Sequence, residues 1–240
     1  MFFGGDPFPY LISAVWLIPG IAVAVPVHAM AHTLAASALG DPGPRNRGFL
    51  SLREPRLYFT TYGTLMFLFW RTGWPQHPPV NEHRLRGNGG KLGYALAGPA
   101  GNLVVAAVFA TIIRLWTGGS FAYPIGFLPD WRVLLATLLY VLFFANLSAF
   151  AFNLLPIPGL DGWRVLEALF LRSNPRFFYD VAIRQQTIVG YLLIGLFLAS
   201  FIVPVLGWVM APFYEPASIL LLGRCTGYPA LTPCLPLGGF

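Results

Sequence analysis

The segment VPVHAMAHTL, residues 25–34, carries His28 and His32 four positions apart in a run without formal charge. On an α-helix this spacing puts both imidazoles on one face, where they can reach a single metal ion. The pattern H-E-x-x-H uses the same geometry to bind zinc, with the intervening Glu as general base. Here the residue after the first histidine is Ala29. Two histidines that only pack between helices are the competing reading, and in a soluble helix the commoner one. In an apolar span that reading loses ground, because polar side chains at membrane depth are costly and usually mark a site.

A third ligand is available in NLLPIPGLDG, residues 153–162, where Asp161 is the first charged residue after Arg132. Asp is also a favoured N-cap, and the helical stretch WRVLEALFL follows it, so capping is the alternative. Two imidazoles and one carboxylate would leave a fourth tetrahedral position open, the form of a catalytic zinc site rather than a closed structural one.

The elements that must bring these residues together are membrane spans. The chain of 240 residues is 56% hydrophobic and only 10% charged, too apolar for an ordinary soluble domain. We expect an all-α polytopic membrane protein. A span needs about 20 mostly apolar residues, and Tyr10–Leu39, Leu92–Ile113, Val133–Leu155 and Thr187–Met210 qualify. The first lacks the basic start and small-residue cleavage site of a signal peptide and reads as a retained span. Thr60–Trp70 is too short to cross and is expected to be re-entrant or interfacial. RGFLSLREPRLYF alternates enough for a short strand, giving a small β-hairpin in the 40–91 loop, and WPQHPPVNEHRLRGNGG is rich in Pro and Gly. Residues 1–211 read as one membrane-embedded domain with its core in 10–172, and 212–240 as an irregular, surface-associated apolar tail. Cys225 and Cys234 lie in that tail, too few for a disulfide framework.

Of the basic residues, Arg45, Arg47, Arg53, Arg56, Arg71, Arg84, Arg86, Lys91, Arg164, Arg172, Arg176 and Arg184 fall in the loops on one side, against Arg114, Arg132 and Arg224 on the other. The net charge of +6 is therefore a matter of topology rather than nucleic-acid binding. The positive-inside rule makes the richer side cytoplasmic and both termini external, in a multi-pass protein of the plasma (inner) membrane. The first and third spans then run in the same direction. His28, His32 and Asp161 all fall toward their cytoplasmic ends.

Taken in order, HAMAH, LGDPGPRNRGFLSL, AGPAGN (97–102) and NLLPIPGLDG resemble the motifs of the site-2 protease type of intramembrane zinc metalloprotease, in its compact form without a PDZ domain. The resemblance covers roughly residues 10–172. It implies that His28, His32 and Asp161 are zinc ligands, that Asn153 assists near the scissile carbonyl, and that Gly98 and Asn102 help to shape the substrate groove. By their own chemistry the small residues of AGPAG let helices approach closely, and Asn102 serves equally as interhelical glue. The implied substrate is a transmembrane protein within the lipid bilayer.

Ala29 departs from the family, which carries there the Glu that moves protons during hydrolysis. Glu82 and His83 in the basic loop are the only remote substitutes. The chain then reads as an inactive or strongly impaired protease scaffold, whether a pseudoprotease or an inactivated form. The alternatives are a non-enzymatic membrane protein that keeps zinc for structure while holding a helix or partner, and a small metal transporter. The transporter would need a polar path that the second and fourth spans do not supply.

Overall fold

The computed structural model describes residues 7–70, 72–117, 131–200 and 205–223. Its helices are α1 (Pro7–Leu39), α2 (Gly43–Asn46), α3 (Thr61–Trp70), α4 (Gly87–Thr117), α5 (Trp131–Asn153), α6 (Asp161–Phe170), α7 (Pro175–Ser200) and α8 (Val205–Leu222). No strand occurs among the described residues. Four helical stretches are long and apolar enough to cross a membrane: Val15–Leu39, Gly87–Trp116, Leu134–Asn153 and Val205–Leu222. The all-α membrane fold is as expected, and the protein is a membrane protein.

The core is the three-way packing of α1, α4 and α5. Small residues allow it. A Cβ on Gly20 of α1 would stand 2.7 Å from Ala145 Cβ on α5, and one on Gly101 of α4 would stand 2.6 Å from Ala31 Cβ on α1. Lipid offers no hydrophobic reason for helices to associate, so close approach of this kind supplies the contact. At the end of α5 the chain reverses through Gly159, whose φ of 95° lies in the left-handed region that favours glycine. That turn sets the start of α6 against α4.

Three expectations change. The stretch with strand-like alternation, residues 47–59, forms turns and a 3-10 turn at Pro55–Leu57, with Gly48 at φ 88°. Positive φ and proline interrupt any ladder there, and its backbone link to the next segment is a single bond, Gln76 N–H to Tyr58 O, 2.8 Å. Among the described residues the fourth candidate span is Val205–Leu222 rather than Thr187–Met210: α7 is Pro175–Ser200, α8 begins at Val205, and 201–204 lie outside the described residues. Residues 212–222 are not irregular, since α8 continues to Leu222 and buries Met210, Tyr214 and Ser218 at four-residue spacing; 224–240 lie outside the described residues. Packing against α5 and α4 overrides the helix-breaking tendency of Pro212 and Pro216, as neighbouring helices permit in a membrane. The expected short segment is the ten-residue helix α3, about 15 Å long and too short to cross. Cys225, Cys234 and Arg224 lie outside the described residues.

Candidate metal centre

Helix α1 presents His28 and His32, both fully buried, to α4 and to the start of α6. Asp161 is the first residue of α6, not its N-cap; that position is Leu160, with no side-chain cap. The carboxylate is therefore free to turn inward. Its Oδ2 lies 2.8 Å from His28 Nε2 and 3.1 Å from His32 Nε2, and the two Nε2 atoms are 3.1 Å apart.

The surroundings decide which ring atoms carry hydrogen. Asn102 on α4 donates from Nδ2 to Ala24 O (2.9 Å) and to Asn146 Oδ1 (3.0 Å). Its Oδ1 must then face His28 Nδ1, 2.7 Å away, so His28 donates from Nδ1. His32 donates from Nδ1 to the Tyr94 carbonyl, 2.9 Å away. Both rings thus turn Nε2 toward each other and toward the Asp161 carboxylate. A cation between them would be held by all three atoms. Histidines oriented by amide and carbonyl partners are the usual support of a metal site. An interhelical hydrogen bond such as Asn102 to Asn146 contributes on average about 0.6 kcal/mol, so orienting His28 is its larger consequence.

Gly98 completes the cradle. A Cβ on it would overlap both His28 Nε2 and His32 Nε2, so the space that a side chain would take is the space an ion needs. Tyr94, Gly98 and Asn102 fall on one face of α4 at four-residue spacing, each touching the histidines differently.

Sequence reasoning missed one member. His77, in the segment between α3 and the 3-10 turn at Glu82–Arg84, brings Nε2 to 3.3 Å from Asp161 Oδ1. The ligand-type atoms of His28, His32, His77 and Asp161 all lie within 4.8 Å of one another. Burial and the Arg164 guanidinium push the His77 imidazole down to about 4 despite Asp161, which leaves it neutral at pH 7. Its only sequence signal was a histidine in a Pro-rich loop.

The other candidates stand elsewhere. Asn153 is buried at the end of α5, its Nδ2 donating to Ala149 O (2.8 Å) and its Oδ1 without a hydrogen-bond partner among the described residues. Among the described residues no hydrogen bond joins it to the four-residue cluster. Glu82 is exposed and pairs with Lys91 at 3.1 Å; His83 is exposed; Glu167 accepts from Trp163 Nε1 at 3.0 Å. Ala29 itself is fully buried and belongs to one apolar cluster with Val25, Phe49, Tyr58, Phe67, Ala145 and Ala149.

Several curated proteins are similar to the chain, each named "Putative zinc metalloprotease". Rip2 of Mycobacterium tuberculosis is 33% identical over 216 residues, which cover 87% of this chain and 75% of the relative. YwhC of Bacillus subtilis is 28% identical over 223 residues, covering 90% and 94%. MJ0611 of Methanocaldococcus jannaschii is 34% identical over 103 residues, 43% of each. No family model matches the chain, and no solved structure does.

Proposed function

Because the chain belongs to the site-2 protease family of zinc metalloproteases, we propose that His28, His32 and Asp161 hold one zinc ion, in a scaffold whose family reaction is hydrolysis of peptide bonds in transmembrane substrates. The observation that carries this reading is the convergence of two Nε2 atoms and one carboxylate oxygen within 3.1 Å of one another. A bound zinc would supply Lewis acidity toward a peptide carbonyl and would lower the pKa of water. The chain's own part is to hold the ligands ready. Asn102 and the Tyr94 carbonyl keep the Nε2 lone pairs inward, Asp161 supplies the negative charge, and Gly98 keeps the space clear. Asn153, with its unpartnered Oδ1, and the groove beside Gly98 and Asn102 are the surfaces we assign to the substrate strand.

Proton transfer is what this chain lacks. Ala29 has no group that can take or return a proton, so the chain as it stands is inactive or strongly impaired. That residue also favours a second reading, a non-enzymatic membrane protein that keeps zinc for structure and holds a helix or partner. The experiment that separates the two is cleavage of a model membrane helix by the chain itself, by Ala29→Glu and by Ala29→Glu with His28→Ala. Helical hydrogen bonds shield the carbonyls of an intact helix, so a substrate with Gly or Pro near its cytoplasmic end should be cut faster than a uniform Leu helix.

The basic asymmetry supports four crossings in the plasma membrane, with residues 40–91 cytoplasmic and both termini outside. Gly223, at the end of α8, lies against Arg114, near the end of α4, in keeping with a tail on the Arg114 side: the Arg114 guanidinium nitrogen is 3.5 Å from where a Gly223 Cβ would be. In intact cells a cysteine replacing Arg224 should react with an impermeant reagent, and one replacing Arg47 only after permeabilisation. Labelling of Arg47→Cys from outside would invert the assignment.

A further inference from the structure

We propose that His77 is a fourth metal ligand, and that the segment carrying it closes the metal centre in the resting chain. The inference rests on the zinc reading above. A tetrahedral zinc with bonds of about 2.0–2.1 Å has ligand atoms about 3.3 Å apart. His77 Nε2 lies 3.3 Å from Asp161 Oδ1, on the carboxylate oxygen that the other histidines do not use, and the ligand-type atoms of all four residues lie within 4.8 Å of one another. Three imidazoles and one carboxylate complete a four-coordinate set. Such a set is of the closed kind and leaves no position for a substrate carbonyl.

His77 is held there by its neighbours on both sides. Before it, Gln76 N–H donates to Tyr58 O at 2.8 Å; after it, Pro78 O accepts from Tyr94 Oη at 3.3 Å. Further along, Asn81 N–H donates to Asp41 Oδ2 at 2.7 Å. Pro78 and Pro79 restrict the intervening backbone and hold His77 extended. Tyr94 joins the two parts of the device, since its carbonyl orients His32 while its hydroxyl holds the segment bearing His77. The His77 side chain is 16% exposed, against 0% for Asp161, so this is the ligand on the solvent side. A substrate carbonyl would have to displace it, lifting residues 72–81 from the Tyr94 hydroxyl.

The test is zinc-edge X-ray absorption on the full chain in detergent, loaded with one equivalent of zinc, alongside His77→Ala and His77→Cys. The native chain should show three imidazoles, and His77→Ala two, with zinc passing to a chelator at least about 10-fold more readily, the least that loss of even an outer-sphere partner costs. His77→Cys should introduce a sulfur at about 2.3 Å, a signal that mere hydrogen bonding to Asp161 would not produce. Two imidazoles in the native chain, with no sulfur in His77→Cys, would overturn the proposal while leaving the three-ligand site intact. A native chain that binds no zinc would overturn both.

Discussion

Ala29→Glu is expected to raise cleavage of a membrane helix by about 10²–10⁴-fold over the native chain, the range a placed general acid–base group supplies. The ligands need no repair, since Asn102 and the Tyr94 carbonyl already orient both imidazoles. The surroundings of position 29 add a second expectation. Position 29 is fully buried within an apolar cluster. A carboxylate there is costly unless it pairs with a cation. Zinc should therefore raise the melting temperature of Ala29→Glu more than that of the native chain. Turnover of helices with and without Gly or Pro, and melting with and without zinc, are the measurements. A folded, zinc-loaded Ala29→Glu protein that cuts none of a varied set of helices would favour the binding-protein reading.

Gly98→Ala is expected to remove metal binding almost completely while leaving the helices in place. The added methyl would overlap both Nε2 atoms, and neither ring can withdraw without giving up its bond to Asn102 or to the Tyr94 carbonyl. The loss should exceed the roughly 10–100-fold that follows removal of one supporting partner. Gly101→Ala is the matched control. Its methyl would press on Ala31 Cβ in the same helix contact but touches neither imidazole, so it should lower stability and keep the metal. Chelator competition on both variants decides, and native affinity in Gly98→Ala would mean that the ion lies elsewhere.

What could be read from sequence was whatever depends on spacing within one helix. His28 and His32 share a face at any tertiary arrangement, and Gly98 and Asn102 likewise on α4. Asp161 could be joined to them because the spans on either side fix which end of the bundle it occupies. His77 was out of reach by that logic: its place depends on bonds to Tyr58, Tyr94 and Asp41, partners 17 to 36 residues away in sequence. The fourth span was misplaced for a related reason. The apolar run from Thr187 onward has no internal signal that places the span, and α8 buries Met210 and Tyr214 while packing against distant α5. Pro212 and Pro216 argue against a helix locally, and tertiary packing outweighs them.

We propose a zinc site built from α1 and the start of α6. Metal analysis of the purified chain, of His32→Ala and of Asp161→Asn tests it most directly. About one zinc per native chain is expected, with little or none in either variant at the same free zinc concentration and with helical content unchanged. A native chain that remains metal-free in the presence of zinc, or a His32→Ala protein that keeps a full equivalent, would contradict it.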